Sequence, residues 1–405
     1  MPSIKDRLKK LGVKGIEVPV EVKPRLDYPI EKAVDGRLVS NSVGNYFLVE
    51  RNFPLGHSYG NAKLEIKSPL DMISSWAGES KIAGAEIEDF CFVDTETTGL
   101  AGGSGTLAFM VGMGRFEKEE FKLAQFFLKD PGDETAMLLA IEEFLAPCKV
   151  LVSFNGKAFD IPLMNARYIT NMQPSPFKGL AQLDILHLAR RLWRDRLPSR
   201  TLNYLETEIL EIKRTGEDTP GWMIPSLYND YLLTGDSRPL AGVFYHNEID
   251  ILSLATLTEV LAKIISDPLG SEDAHTLDLL AVGKLNEDLG NRIEAKTIYE
   301  FCLEKELPAE IKSRTIKRLS YLYRRLDQMP EALSLWWQAA ADREIYAHEE
   351  LAKYYEHKTR DFVEAKKWTN AALVLIKMPE INRFERIQWQ EKLDYRLDRL
   401  NRKIK

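Results

Sequence analysis

The sequence contains little cysteine and no long apolar segment. Only three of its 405 residues are cysteines, Cys91, Cys148 and Cys302. No two of them form a CxxC pair, which excludes a disulfide scaffold and a cysteine-rich zinc site. Because no run of about 18 apolar residues is present, we predict no membrane span. The basic first residues lack an apolar stretch behind them and do not resemble a secretory signal, so we predict a cytoplasmic protein.

The chain also lacks an excess of basic residues. It has 55 Lys and Arg against 61 Asp and Glu, a formal net charge of -6. A protein that binds nucleic acid mainly through phosphate contacts is usually basic, so the charge alone argues against such a partner. With 44% hydrophobic residues the chain can bury a sizeable core, which excludes wholesale disorder.

The hydrophobic pattern divides the chain into three regions. Residues 1–85 predict an irregular, β-containing segment that packs on the next region. Residues 86–270 alternate strand-like apolar runs with helical patterns, which predicts an α/β domain with a mixed central sheet flanked by helices. Residues 271–405 show only helical patterns and predict an all-α domain.

The helical region shows internal similarity. Glu-Ala pairs begin at positions 294, 331 and 364, and an aromatic residue follows each pair by about one helical turn. The spacing resembles tetratricopeptide repeats, helical hairpins of about 34 residues that stack to bury their apolar faces. A plain helical bundle is the alternative.

Four carboxylates are the strongest candidates for chemistry. Asp94 and Glu96 end an apolar run, and because strand side chains alternate, both point to the same face. Two negative charges this close repel unless a cation lies between them, and oxygen ligands suit Mg²⁺ or Mn²⁺. Asp160 opens a predicted helix, which it could instead simply cap. Asp250 lies one helical turn after His246, and this places a possible metal ligand beside a proton-transfer residue.

In this order the motifs resemble the DEDD superfamily of 3′–5′ exonucleases, which have a ribonuclease H-like fold. The order is DxE at 94–96, an Asp after an Asn-Gly turn at 155–160, and a late helical Asp beside Tyr or His at 245–250. The bacterial YprB-type branch is similar to the exonuclease domain of family B polymerases and often carries helical repeats behind the nuclease. Three further segments look like that branch: 46–64, 183–187 and 198–202.

The resemblance implies a metal-dependent 3′–5′ exonuclease that hydrolyses phosphodiester bonds of single-stranded DNA or RNA. Its metal ligands would be Asp94, Glu96, Asp160 and Asp250. These residues would hold two divalent ions, Mg²⁺ or Mn²⁺, for an in-line displacement at phosphorus.

The proton-transfer residue departs from the pattern of the superfamily. Members place Tyr four residues before the last Asp, or His five residues before it. Here His246 is four residues before Asp250 and Tyr245 is five. We expect His246 to be the general base, because it shares a helix face with Asp250 and its usual pKa suits neutral pH. Tyr245 is the alternative.

Two segments are candidates for binding the nucleic acid. Residues 190–200 carry five arginines around one tryptophan; arginine suits phosphate, and tryptophan can stack on a base. A solvated helix face with the tryptophan in the core is the alternative. By the resemblance, the loop after the DxE pair would contact the terminal nucleotide. The candidate substrate contacts are Thr97, Thr98, Leu100, Asn155, Arg190, Arg191, Trp193, Arg194, Arg196 and Arg200. A further basic cluster, at 312–325, could touch nucleic acid or an acidic protein, or form a solvated surface.

Two other functions fit parts of the sequence. A catalytically weak, nuclease-like adaptor whose helical repeats bind a protein partner would fit the exchanged Tyr245 and His246 positions and the acidic charge. A ribonuclease H-type endonuclease shares the fold, but the segment 155–160 and Asp250 fit the exonuclease pattern better.

Overall fold

The structure is a computed structural model and describes residues 26–99, 105–270 and 274–404. The strands in these ranges are β1 (Arg37–Asn41), β2 (Gly44–Pro54), β3 (His57–Tyr59), β4 (Ala62–Leu64), β5 (Phe90–Thr97), β6 (Ala108–Glu117), β7 (Glu120–Phe127), β8 (Val150–Ser153) and β9 (Ala181–Asp184). The first α-helices are α1 (Ile30–Ala33), α2 (Asp71–Ala77), α3 (Glu134–Leu145), α4 (Asp160–Thr170), α5 (Ile185–Leu192), α6 (Leu202–Glu208), α7 (Ile224–Thr234) and α8 (Ala241–Ser266). The later ones are α9 (Thr276–Leu289), α10 (Arg292–Leu303), α11 (Ala309–Arg325), α12 (Met329–Ala341), α13 (Ile345–Tyr354), α14 (Phe362–Leu375) and α15 (Arg383–Ile404).

Seven of the described strands form one mixed sheet, in the order β1-β2-β7-β6-β5-β8-β9. From β1 to β5 the neighbouring strands are antiparallel, whereas β5 and β8 are parallel. The first four residues of β5, Phe90 to Val93, are all buried, as the continuous apolar run there indicates. With its flanking helices and the helical region that follows, this sheet confirms the predicted fold class.

The N-terminal region contributes to the same sheet. Strand β2 pairs with β7 from Phe47, opposite Phe127, to Pro54, opposite Glu120, and β1 pairs with the other edge of β2. The expected β-containing segment therefore extends the central sheet by two strands.

Aromatic side chains fix helices α7 and α8 against the sheet. Phe109 of β6 stacks on Tyr228 of α7, with ring centroids 4.0 Å apart. Phe127 of β7 meets Phe244 of α8 at 5.3 Å. Such ring contacts add to the stabilisation that comes from burying their area. They position α8, which also carries Asp250.

The chain divides into two compact units. The first, here the sheet unit, comprises the described residues up to Leu64 together with Glu86–Gln182 and Glu206–Ala255. The second, the helical unit, comprises Glu65–Ala85, Leu183–Leu205 and the described part of Thr256–Lys405. These boundaries differ from those expected at residues 86 and 271, because α2 and α5 pack against α9.

The helical unit packs each helix from α9 to α15 against the next. The recurring Glu-Ala pairs fall in the first turns of α10, α12 and α14. Ala295, Ala332 and Ala365 are fully buried, so their small side chains lie where neighbouring helices meet. Among the described helices none is both long and apolar enough to cross a membrane.

Two adjacent tryptophans of α12 provide a test of this packing. Trp336 is 1% exposed and lies in a core cluster, whereas Trp337 is 48% exposed. We expect Trp336→Ala to lower the free energy of unfolding by about 3–5 kcal/mol, because it leaves a cavity. Trp337→Ala should cost much less. Urea denaturation followed by helical circular dichroism measures both; equal losses would contradict the described core.

Candidate active site

The four predicted carboxylates come from three elements. Asp94 and Glu96 lie at the end of β5, opposite Gly112 and Met110 of β6, and both are half-buried. Asp160 is the first residue of α4, and the Thr95 hydroxyl donates a hydrogen bond to its carboxylate. Asp250 lies in α8 and is buried.

Electrostatics shows that these carboxylates share one site. Burial raises the pKa of Asp94 well above its usual range, and the charges of Asp250, Glu96 and Asp160 raise it further. Burial also raises the pKa of Glu96 to about 8, again with contributions from Asp250 and Asp160. Burial is thus the main cause of both shifts, and the negative charges of Asp160 and Asp250 act on Asp94 and Glu96 in addition.

A chain of buried amides orients Asp94. Asn247 of α8 is fully buried, and its Nδ2 donates to Asp94 Oδ2 at 3.0 Å. Gln125 of β7, also fully buried, donates from Nε2 to Asn247 Oδ1 at 3.0 Å. The amide of Asn247 fits here because residue 112 is glycine: a Cβ at that position would lie 2.1 Å from Asn247 Oδ1.

Arg214 is the main cation of the site. It lies in the loop after α6, and its guanidinium binds Glu206 through two bonds of 2.7 Å. The same guanidinium contacts Asp250 through Nη2. The Arg214 and Glu206 side chains are only 7% and 1% exposed. Burial lowers the pKa of Arg214, but Glu206 and Asp250 together raise it above its usual value, so the guanidinium stays charged.

His246 and Tyr245 point to different partners. His246 Nε2 lies 3.5 Å from Asp250 Oδ2, and its Nδ1 lies 2.8 Å from Asp218 Oδ1 and 2.9 Å from Arg214 Nη1. The hydroxyl of Tyr245 instead accepts a hydrogen bond from the Thr215 backbone N–H at 3.0 Å. Of the two candidate bases, His246 is thus the one that lies beside the predicted metal ligand Asp250.

The donor atoms suit a hard cation, although they are not arranged around one. Within residues 26–99, 105–270 and 274–404, no three carboxylate, imidazole or thiol groups are placed to hold one metal ion. Asp250 is turned instead to Arg214. Asp94, Glu96 and Asp160 nevertheless supply the carboxylate oxygens that Mg²⁺ and Mn²⁺ prefer, and burial together with neighbouring negative charges raises the pKa of Asp94 and Glu96.

The expected substrate loop is partly described. The Thr97 hydroxyl donates to the Gly99 carbonyl at 3.0 Å, and the Thr98 hydroxyl accepts from the Leu107 N–H at 3.0 Å. Leu100 lies outside the described residues. Asn155 adopts a left-handed conformation, with φ of 67°, in the turn that leads to Asp160.

The arginine-rich segment belongs to the helical unit. Trp193 is fully buried, so its indole has no free face for a base, and the alternative of a core tryptophan is correct. Arg191 and Arg196 form ion pairs with Asp288 and Asp278, and Arg200 Nη1 donates to the Leu197 carbonyl at 2.8 Å. Arg190 and Arg194 are exposed, and neither forms an ion pair with another described residue.

Several residues in or near the site were not predicted from the sequence. They are Gln125, Glu206, Arg214, Asp218, Trp222 and Asn247. Asn247 lies within the predicted segment 245–250, whereas the others lie on elements remote in sequence: Gln125 on β7, Glu206 in α6, Arg214 and Asp218 in the loop after it, and Trp222 in a 3-10 turn. Trp222 is 80% exposed, and its neighbour Gly221 is close to the site, since a Cβ there would lie 4.0 Å from His246 Nε2.

Comparisons with known proteins agree with this architecture. The family model of the RNase H superfamily matches residues 91–262. The Bacillus subtilis (strain 168) protein named "Uncharacterized protein YprB" is 32% identical over 329 residues, which cover 78% of this chain and 77% of that protein. The family B DNA polymerase of the hyperthermophilic archaeon Pyrobaculum calidifontis matches 52% of this chain at 17% identity, with a TM-score of 0.34. The match spans 29% of the polymerase chain, and at this score it does not establish a shared fold.

The sheet, with carboxylates at the end of its central strand, therefore defines a ribonuclease H-like domain, a nuclease fold. The chain as a whole belongs to the YprB family.

The buried Arg214 pairs lead to a stability prediction. Removing Arg214 leaves Glu206 and Asp250 without their cation, so Arg214→Ala should lower the free energy of unfolding by about 3–5 kcal/mol near neutral pH. Arg238→Ala is the matched control, because Arg238 also pairs with an aspartate, Asp236, but is 58% exposed and should contribute little. Urea denaturation measures both variants. Similar losses would show that the Arg214 network does not stabilise the fold.

Proposed function

We propose that this protein is a metal-dependent 3′–5′ exonuclease that acts on single-stranded DNA or RNA. The observation that supports the proposal is that burial, and in addition the charges of Asp160 and Asp250, raise the pKa of Asp94 and Glu96. Buried repelling carboxylates are costly to the fold unless a cation neutralises them. Their position in a ribonuclease H-like domain supports phosphodiester hydrolysis.

Mg²⁺ or Mn²⁺, when bound to these carboxylates, would polarise a water and neutralise charge on the phosphate. The protein itself orients the ligands and moves the proton. The Asn247 amide holds Asp94 on the side of the site that faces α8. In the tautomer that donates from Nδ1 to Asp218 Oδ1, at 2.8 Å, His246 carries its proton on Nδ1, whereas Arg214 Nη1, at 2.9 Å, would donate to Nδ1 in the opposite tautomer. In the first of these tautomers the lone pair of Nε2 is available, beside Asp250, to accept a proton.

The exposed indole of Trp222 offers a contact for the substrate. An aromatic face stacks on any base, and each such contact contributes about 1–3 kcal/mol to single-strand binding. Since Gly221 adjoins His246, Trp222 is a better candidate for stacking than the buried Trp193.

A nuclease-like adaptor is the second candidate. The observation in its favour is the ion pair between Arg214 and Asp250, which occupies a predicted metal ligand. In this alternative the helical unit, with buried alanines at intervals similar to tetratricopeptide repeats, binds a protein partner and the sheet unit catalyses weakly or not at all.

Incubation of 5′-labelled single-stranded DNA and RNA with Mg²⁺ or Mn²⁺ tests the proposal. We expect stepwise shortening from the 3′ end that EDTA abolishes. Because losing even an outer partner of a metal ligand typically costs about 10–100-fold in activity, Asp94→Asn should lower the rate by at least about 100-fold. Asp35→Asn, which alters an exposed carboxylate, should retain the wild-type rate.

The alternatives give different outcomes in the same assay. If the wild-type protein shortens neither DNA nor RNA faster than Asp94→Asn, the exonuclease proposal is wrong and the adaptor is favoured. If a circular single strand is cut, the protein acts as an endonuclease.

A further inference from the structure

The helical unit contains a small cleft, with a volume of about 110 Å³, and five of its lining residues are basic. The basic lining residues are Arg191 of α5, Arg194 just after it, Lys284 of α9, and Arg314 and Arg318 of α11. The cleft thus joins two basic clusters that are far apart in sequence, the one within 190–200 and the one within 312–325. Asp195 is its one acidic lining residue among those described.

Three of the five cations already have carboxylate partners. Arg191 pairs with Asp288, Arg314 with Asp195 at 3.3 Å, and Arg318 with Glu287 at 2.8 Å. These pairs fix the guanidinium groups around the cleft and cancel their charge. The pairs therefore shape the site but do not give it its net charge.

The other two cations remain uncompensated. Among the described residues, neither Arg194 nor Lys284 forms an ion pair, and Lys284 is half-buried. A partly buried ammonium without an anion carries a desolvation cost that an anionic ligand would offset. Lys284 and Arg194 together carry two positive charges, which match one phosphate group with its one to two negative charges.

We propose that this cleft binds a phosphate group. Drug-sized molecules occupy pockets of about 300–1,000 Å³. The volume of this cleft, about 110 Å³, therefore suits a small anion. The phosphate belongs either to the backbone of a nucleic-acid strand or to a free phosphate. The first source rests on the proposed nuclease function, and the second does not.

Thermal unfolding in inorganic phosphate tests the site without any substrate. A ligand that binds only the folded protein raises its melting temperature. Compared with chloride at equal ionic strength, phosphate should raise the melting temperature of the wild-type protein by a few degrees. Lys284→Met, which keeps the alkyl chain but removes the charge, should lose this rise. Arg194→Gln should reduce it. Lys312→Met is the control, because Lys312 is exposed on the same helix as Arg314 and does not line the cleft.

The absence of a phosphate-dependent rise in the wild-type protein, or an equal rise in Lys284→Met, would overturn the proposal. A second measurement identifies the source of the phosphate. The binding constant K of a labelled single strand is measured in EDTA at several salt concentrations. The slope of log K against log salt is negative, and loss of one phosphate contact makes it less steep by about 0.7. If Lys284→Met makes the slope less steep, the phosphate belongs to a strand. If the variant keeps the wild-type slope and differs from the wild type only in the melting temperature in inorganic phosphate, the ligand is a free phosphate. Since neither measurement requires cleavage, a failure here is separate from a failure of the exonuclease proposal.

Discussion

Concentrated negative charge at the end of strand β5 is the constraint on which the candidate site depends. Asp94 and Glu96 are held there by a strand whose preceding residues are buried. Burial and mutual repulsion raise the pKa of both carboxylates. Keeping such groups together lowers the stability of the fold, and neighbouring residues offset part of this loss through hydrogen bonds and ion pairs.

These interactions come from polar side chains on other elements of the sheet unit. Asn247 donates to Asp94 and is itself held by Gln125. Arg214 neutralises Asp250 and is held in turn by the buried Glu206. An amide thus donates a hydrogen bond to Asp94, and one guanidinium is shared by Glu206, Asp218 and Asp250.

Much of this arrangement could be predicted from local sequence. The apolar run before Asp94 indicates a buried strand, and the alternation of strand side chains places Glu96 on the same face. Helical spacing likewise places His246 beside Asp250, and they lie 3.5 Å apart. The buried strand and the contact of His246 with Asp250 could be predicted because each depends on a short stretch of chain with one regular period.

Features set by long-range packing could not be predicted in this way. Arg214 lies in a loop without periodicity, and only the tertiary fold brings it to Asp250. Trp193 looked like a base-stacking residue because arginines surround it, but α5 packs into the helical unit and buries it. The two compact units likewise could not be predicted, because each joins segments that are distant in sequence.

The central proposal is that the carboxylates of the sheet unit form a cation site in which Arg214 acts as the counter-ion of Asp250 until a divalent ion binds. The most direct measurement is a crystal structure of the protein soaked in Mn²⁺, with the manganese located by its anomalous signal. The account predicts manganese bound to Asp94 and Glu96, with Asp250 turned away from Arg214. The proposal would be contradicted by a site that holds no manganese at millimolar concentration and in which Arg214 still binds Asp250.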